Sequence, residues 1–187
     1  SGLKAVIMDG QAMERAVTRI AHEVIERNEG ADGIALVGII RRGETLANLL
    51  ADAIERIEGT RPQMGSLDIS FYRDDVTRAI APVLHATNIP FVIDGANIVL
   101  VDDVLYTGRT VRSALNALMD YGRPKTVQLA VMVDRGHREL PIRADFVGKN
   151  VPSSHEEDVR VCIRPLDDHD AVEIWDVNTE KNAGGAN

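Results

Sequence analysis

The segment Ile98-Val-Leu-Val-Asp-Asp-Val-Leu-Tyr-Thr-Gly-Arg-Thr110 decides the fold of this chain. Its first four residues form an apolar, β-branched run of the kind found in strands that are buried on both faces. Asp102 and Asp103 follow at the carboxyl end of that strand, where open α/β sheets bind ligands. Gly108, between two threonines, opens a predicted helix whose first backbone amides favour an anion. The pattern therefore predicts a site for a phosphorylated sugar, with acids for hydroxyls and amides for phosphate.

Other interpretations of an Asp-Asp pair after a strand are a Walker-B-like pair, a phospho-acceptor site or a simple helix cap. A P-loop requires G-x-x-x-x-G-K-[ST], and Gly148-Lys149 is followed by Asn150 instead. No G-x-G-x-x-G dinucleotide motif occurs either. The phosphosugar site remains the favoured interpretation.

Further strands and helices alternate along the chain, which predicts an α/β fold with a parallel sheet covered on both faces. Apolar periodicity predicts strands at 4–8, 34–40, 67–72, 98–101, 127–133, 158–163 and 172–176, helices at 11–28, 44–57 and 109–121, and a loop over 73–90. We expect a single domain over 3–177, with its core at about 10–135. The first strand and 136–177 then form a small subdomain, and the polar tail 178–187 is expected to be disordered.

Composition excludes several classes of protein. The chain has 187 residues, 44% of them hydrophobic and 27% charged, which is a globular composition. Because Cys162 is the one cysteine, we expect no intrachain disulfide and no cysteine-based zinc site. The five histidines suggest no metal cluster. No apolar run is long enough to span a bilayer, so we expect a cytoplasmic protein. The net charge of −8 argues against bulk nucleic-acid binding but allows a local basic patch.

The acidic pair followed by T-G-x-T resembles the signature of the type I phosphoribosyltransferases. Longer stretches resemble the PyrR family, which combines a uracil phosphoribosyltransferase with a regulator of pyrimidine operons. They are TRIAHEVIERN (18–28), DISFYRDD (68–75), DDVLYTGRTVR (102–112) and VDRGHRELPIRADFVGKN (133–150). The resemblance runs from about Lys4 to Asp176. It implies the type I phosphoribosyltransferase fold, a central mostly parallel sheet flanked by helices, with the small subdomain as a hood.

The resemblance implies transfer of ribose 5-phosphate from phosphoribosyl pyrophosphate to uracil, with Mg²⁺ bound through the substrate and not by a metal cluster of the protein. It assigns catalytic roles to Asp102, Asp103, Arg73 and Arg42. The implied substrate-binding residues are Arg41, Arg42, Arg73, Asp102, Asp103, Val104, Leu105, Tyr106, Thr107, Gly108, Arg109, Thr110, Arg135 and Val159. Within this set Arg41 and Arg42 form a pyrophosphate loop, Arg73 lies on a closing loop, and Arg135 and Val159 lie beside the base.

The resemblance also implies binding to pyrimidine-operon leader mRNA, with UMP or UTP as the regulatory nucleotide. The corresponding residues are Thr18, Arg19, His22, Arg138, Arg143 and Lys149. The first three share one face of the predicted helix 11–28, opposite its apolar stripe. Two alternatives remain open: a purine phosphoribosyltransferase, and an RNA-binding nucleotide sensor with vestigial catalysis. The family further suggests a homodimer or a higher homo-oligomer, and no membrane partner.

Overall fold

The computed structural model describes residues 2–70 and 87–177. The strands are β1 (Leu3–Asp9), β2 (Ile34–Ile39), β3 (Gln63–Leu67), β4 (Asn97–Leu105), β5 (Thr126–Asp134), β6 (Phe146–Asn150), β7 (Glu157–Cys162) and β8 (Ala171–Asp176). The helices are α1 (Gly10–Arg27), α2 (Arg42–Glu58) and α3 (Arg109–Met119). The predicted alternation of strands and helices is therefore confirmed.

The central sheet is parallel and has the strand order β3-β2-β4-β5-β6. The chain moves outward in one direction from β2 to β3 and in the other direction from β4 to β5. The strand order therefore reverses between β2 and β4, whose carboxyl ends frame a crevice. Crevices of this kind bind ligands in open α/β sheets.

Helices cover both faces of the central sheet. Apolar residues of α1 and α2 pack with the hood on one face, around Val24, Leu46 and Val99. Apolar residues of α3 pack on the other face, around Leu100, Ala114 and Leu118. Since each face of the sheet is apolar, β2 is buried along its whole length, as its continuous hydrophobic run predicted.

Local interactions fix where α1 begins and ends. The Asp9 carboxylate caps its first turn by accepting the backbone N–H of Ala12 at 2.8 Å. At the other end, the Asn28 side chain donates to the carbonyl of Val24 at 2.8 Å and exchanges two hydrogen bonds with Gln128. These contacts attach the end of α1 to β5.

The hood is a three-stranded antiparallel sheet with the order β1-β8-β7. Strands 158–163 and 172–176 were predicted there and are confirmed with shifts of one residue. The hood was expected to include everything from 136 onward, and this is wrong for one strand. Sequence periodicity missed β6, which pairs in parallel with β5 and so belongs to the central sheet.

Two other boundaries also differ from the prediction. The strand expected at 67–72 overlaps β3 only at Leu67: residues 68–70 form no strand, and 71–72 lie outside the described residues. Ser66 of β3 pairs with Asn88 in an isolated bridge. The strand expected at 98–101 continues to Leu105, because Asp102, Val104 and Leu105 remain paired with β5. Most of the predicted loop 73–90 lies outside the described residues, and so does the whole of the tail 178–187 that was expected to be disordered.

Candidate active site

Close backbone packing brings α2 against the end of β4. Gly43, in the first turn of α2, is buried, and a β-carbon there would overlap the carbonyl oxygen of Val101. A β-carbon on Gly38, near the end of β2, would likewise overlap the backbone of Gly43 and Glu44. Only glycine fits at these two positions without moving the backbone. The loop that carries Arg41 and Arg42 is thereby held beside the acidic pair.

The acidic pair lies among the last four residues of β4, at the crevice. Asp102 is only 7% exposed, and its Oδ1 accepts the backbone N–H of Asp103 at 2.9 Å. Asp103 is half-buried, and its Oδ1 accepts the N–H of Val104 at 2.8 Å. These hydrogen bonds fix the orientation of each carboxylate. The pair therefore presents oriented negative charge at the place where the sequence predicted it.

The residues after the acidic pair line a cavity of about 330 Å³. Gly108 has φ 93°, a left-handed conformation that favours glycine, and it turns the chain into α3. Thr107 Oγ1 accepts the N–H of Arg109 at 3.2 Å. The N-cap residue of α3 is Gly108, which makes no side-chain hydrogen bond to the first turn of the helix. The predicted phosphate loop (Tyr106, Thr107, Gly108, Arg109 and Thr110) lines this cavity, as do the predicted substrate-binding residues Val104 and Leu105.

Sequence reasoning missed Glu139, on the rim of the same cavity. Its carboxylate accepts a hydrogen bond from Arg109 Nε at 2.9 Å. The backbone N–H groups of Glu139 and Leu140 donate to the carbonyl of Thr107. The segment after β5 thus borders the cavity, a contact between distant parts of the sequence that no local pattern indicates.

Arg41 and Arg42 lie between β2 and α2, as expected for a pyrophosphate loop, but their side chains differ. Arg41 is exposed. Arg42 extends to the hood, where Nε donates to the carbonyl of Val161 at 3.0 Å and Nη2 to Asp167 Oδ1 at 2.8 Å. The hydrogen bond that Arg42 donates to Asp167 is the main reason that the pKa of Arg42 is raised, and the charge of Asp103 raises it further. Arg42 therefore links the crevice to the hood.

Arg135 has a similar connecting position, although sequence reasoning placed it beside a base. Its side chain is buried and donates to Ser153 Oγ at 3.1 Å and to the carbonyls of Ser154 and Glu157 at 2.8 and 2.7 Å. Its guanidinium also lies 4.0 Å from the centre of the Tyr106 ring. Arg135 thus fastens the entry of β7 beside the predicted phosphate loop. Val159, the other expected base contact, is buried on β7.

Two histidines complete an aromatic cluster around Tyr106. The Tyr106 hydroxyl is 2.8 Å from His155 Nδ1, and the His137 and His155 rings are 4.1 Å apart. The His137 ring also meets the Tyr106 ring edge-on at 5.8 Å. Sequence reasoning did not select either histidine. The only signal was the position of His137 just after β5, in the quoted motif 133–150.

The predicted RNA-binding residues separate into two groups. Thr18, Arg19 and His22 lie on the outer face of α1, and Arg19 Nη2 donates to the carbonyls of Val147 and Gly148 at 3.2 and 2.6 Å. These contacts bring Lys149, on β6, beside them, and Arg15, Arg19 and Lys149 line one shallow depression. We call Arg15, Thr18, Arg19, His22 and Lys149 the α1–β6 face.

Arg138 does not lie free on a surface. Its guanidinium donates to the carbonyls of Ile142 and Tyr106, each at 2.8 Å, and to Asp134 Oδ2 at 2.6 Å. All three partners lie within the chain, because the side chain ties the segment after β5 to the phosphate loop. The assignment of Arg138 as an RNA contact stays a prediction. Arg143 is exposed. Arg73 lies outside the described residues.

Comparison with known proteins places these features in context. Residues 5–163 match the model of the phosphoribosyl transferase domain family. The chain is 57% identical over 172 residues to "Bifunctional protein PyrR" of Pelotomaculum thermopropionicum, covering 91% of this chain and 95% of that one. It is 54% identical to the protein of the same name from Clostridioides difficile, covering 91% and 97%.

Solved structures share the fold at low sequence identity. A hypoxanthine phosphoribosyltransferase from Staphylococcus aureus matches with a TM-score of 0.71 and 18% identity, over 95% of this chain and 96% of that chain. The enzyme from Trypanosoma cruzi in complex with IMP matches with a TM-score of 0.71 and 15% identity, over 100% and 98%. In the described ranges, no helix is long and apolar enough to cross a membrane.

Proposed function

This chain belongs to the PyrR family of bifunctional phosphoribosyltransferases, and we propose that it transfers ribose 5-phosphate from phosphoribosyl pyrophosphate to uracil and binds pyrimidine-operon leader mRNA. The observation that carries the first activity is the crevice between β2 and β4. It combines an oriented acidic pair, an amide-rich helix start and an arginine-bearing loop. These are the groups needed by a sugar with a phosphate at one end and a pyrophosphate at the other.

Each group has a distinct task in the transfer. The backbone amides at the start of α3, with the threonine hydroxyls, bind the 5′-phosphate. Asp102 and Asp103 hold the ribose hydroxyls and stabilise positive charge as the bond from the anomeric carbon to pyrophosphate breaks. The backbone amides of residues 41–43 and the exposed Arg41 side chain bind the departing pyrophosphate, and Arg42, held by Asp167, positions this loop. Arg73, on the segment after Ser70, is proposed to close over that anion and exclude water.

Magnesium fits the chemistry of this donor set. Mg²⁺ prefers oxygen ligands and keeps several waters, so it binds through one or two carboxylates together with substrate oxygens. Asp103 offers half-buried carboxylate oxygens beside the crevice, and phosphoribosyl pyrophosphate supplies the rest. Bound there, the ion neutralises charge on the pyrophosphate. The residues themselves orient the sugar.

The base is proposed to lie against the Tyr106, Arg135 and Val159 side of the hood. Uracil carries two carbonyl acceptors and one N–H on its edge, so backbone groups around Val159 can read it. Arg135 is bonded to the chain at Ser153–Glu157 and so acts by positioning that backbone. Hydrogen-bond readout of a small base in this way rejects larger rings through shape and unpaired polar groups.

The transferase proposal is tested by supplying phosphoribosyl pyrophosphate and Mg²⁺ with labelled uracil, hypoxanthine or guanine. We expect UMP and pyrophosphate from uracil, no turnover after chelation of the metal, and little product from the purines. Equal or faster turnover of a purine would replace this proposal with the purine alternative. Binding of UMP without any turnover would favour the nucleotide sensor.

RNA binding is supported by the α1–β6 face. Its basic side chains come from two elements, and Arg19 connects them through Val147 and Gly148. Arginine and lysine on one face contact phosphates and give a binding constant that falls with salt. In the acidic stretch at the start of β7, Glu157 is paired with Lys4 at 2.8 Å and Asp158 with Arg160 at 2.7 Å, so these two carboxylates are neutralised locally.

The RNA proposal is tested by gel-shift titration of a pyrimidine-operon leader hairpin, with and without UMP or UTP. Lys149→Ala should weaken binding several-fold and reduce the salt dependence, while leaving uracil transfer unchanged. Arg123→Ala is the matched control, since Arg123 is exposed in the loop after α3. Equal losses in both variants, or no binding at low salt, would refute this face as the RNA site.

Two further expectations belong to this proposal. Substrates and RNA target both argue for action in the cytoplasm. A homodimer or higher homo-oligomer stays a prediction, to be checked by sedimentation equilibrium.

A further inference from the structure

The hood contains a group of metal-ligating side chains away from the crevice. Cys162 ends β7, Glu173 lies on β8, and His169 lies in the loop between them. Their Sγ, carboxylate oxygen and ring nitrogen atoms all lie within 4.8 Å of one another. The sequence had led us to expect no such cluster, because a single cysteine and scattered histidines show no ligand spacing. The antiparallel pairing of Cys162 with Ala171 brings the three residues together.

The spacing of the ligand atoms suits tetrahedral coordination. Zinc bonds of about 2.0–2.3 Å give edges of roughly 3.3–3.8 Å between neighbouring ligand atoms. Cys162 Sγ is 3.3 Å from Glu173 Oε1, and His169 Nε2 is 3.1 Å from Glu173 Oε2. The third separation, between Cys162 Sγ and the His169 ring, is at most 4.8 Å, so rotation of the half-exposed His169 side chain would bring the three ligand atoms around one metal.

The surroundings of His169 add an independent observation. Its Nδ1 is 2.5 Å from Asp168 Oδ1, while its Nε2 faces the cluster. A metal-binding histidine usually donates its second ring N–H to a carboxylate, which fixes the tautomer and the ring orientation. Glu173 is in addition only 7% exposed, although it is a carboxylate. His169 is half-exposed, so an ion can enter from solvent.

We propose that the hood binds a Zn²⁺ ion through Cys162, His169 and Glu173, with water as the fourth ligand. A thiolate and an imidazole select zinc over Mg²⁺ or Ca²⁺, which prefer oxygen ligands. On binding, the metal replaces the thiol proton, which is released to solvent, and takes the neutral imidazole nitrogen as a ligand. The Mg²⁺ that accompanies phosphoribosyl pyrophosphate is a different ion at a different place.

The bound ion would stiffen the loop that holds Arg42. Asp167, which accepts two hydrogen bonds from Arg42, lies two residues before His169. Asp167 Oδ2 also accepts the backbone N–H of Ile163, next to Cys162. A zinc ion that joins β7, this loop and β8 would therefore restrain the hood side of the connection to the crevice. The ion is structural in this proposal and takes no part in the transfer.

The test uses Co²⁺ as a spectroscopic substitute for zinc in the full chain, at about pH 8 and with excess Mg²⁺. Cys162 is the one cysteine in the sequence, so a thiolate-to-cobalt charge-transfer band reports on this residue alone. We expect the band to saturate at about one cobalt ion per chain and to disappear when zinc is added. Zinc should also slow alkylation of Cys162.

Variants separate this site from adventitious binding. Cys162→Ser and His169→Asn should each abolish saturable cobalt binding, whereas His22→Asn, which changes an exposed histidine on α1, should leave it unchanged. His169 is half-exposed, so its variant is expected to fold, and circular dichroism checks this. Absence of a charge-transfer band in the folded parent chain, or an undiminished band in His169→Asn, would overturn the proposal.

Discussion

The crevice and the hood are built from the same kinds of charged residue but use them differently. In the crevice, backbone packing at glycine positions sets the geometry, and Asp103 lies half-buried where the ligand is proposed to bind. Around the hood, Arg42, Arg135 and Glu157 are already bonded to other parts of the chain. A charged residue near a site can therefore either bind the ligand or hold parts of the chain together, and its hydrogen-bond partners show which of these two roles it has. Substitutions in the two regions should therefore affect activity and stability in opposite proportions.

The largest effect is expected for Asp103→Asn in the crevice. Loss of one preorganised charge beside a developing cation should cost about 2–4 kcal/mol in the transition state, roughly a 30- to 1,000-fold drop in turnover. Thermal unfolding should change little. Steady-state kinetics together with a melting curve measures both. A large fall in melting temperature with unchanged kinetics would show that Asp103 stabilises the fold and does not act in the transfer.

The converse is expected for Arg135→Met in the hood. The change removes the Arg135 hydrogen bonds to Ser153 Oγ and to the carbonyls of Ser154 and Glu157, which should lower the free energy of unfolding by about 2–3 kcal/mol. Denaturant titration measures this loss. The KM for the base should rise because the hood backbone is no longer positioned. Arg160→Met provides an exposed arginine control on β7. If the two variants unfold alike, Arg135 does not secure the hood.

Gly43→Ala tests whether backbone packing shapes the crevice. The added β-carbon would overlap the carbonyl of Val101 and force the loop away from β4, at a cost of about 1–3 kcal/mol in stability. Turnover should fall too, because the loop is displaced from the acidic pair. Gly10→Ala is a matched control in the first turn of α1, where the nearest atom would be 3.4 Å away. Equal behaviour of both variants would contradict the packing argument.

The smallest effect is expected for Glu157→Gln, which tests through the pH dependence of melting whether the charge of Glu157 stabilises the hood. Hydrogen bonds from Lys4 and from the backbone of Ser154 hold the pKa of Glu157 below its ordinary value. Its contribution to stability is therefore present above the ordinary carboxyl pKa and is lost as pH falls through the lowered value. The parent chain should melt slightly above the variant at neutral pH, and the difference should vanish in acid. A difference that persists in acid would assign the effect to packing.

The order of elements could be predicted because the central strands are continuous apolar runs, as in β2, and the helices are strongly periodic, as in α1. The crevice was predictable for a similar reason: acids and Gly108 directly follow a buried strand. Strand β6 was missed because Phe146–Asn150 mixes apolar and polar residues and is partnered only along one edge. The roles of Arg42, Arg135 and Arg138 could not be predicted, since their partners lie up to 125 positions away in sequence.

The hood sheet joins the first strand of the described chain to the last. β1 pairs with β8, and β8 pairs with β7, so the central strand of the hood is the final one to be made. During synthesis on the ribosome, β2, β4 and β5 can assemble with their helices before β8 emerges, because domains fold progressively from the amino end. Until β8 has been made, the segment Leu3–Asp9 has no strand to pair with in the hood sheet. The transferase crevice is therefore formed early, whereas a closed hood is a sign that translation of this segment has finished.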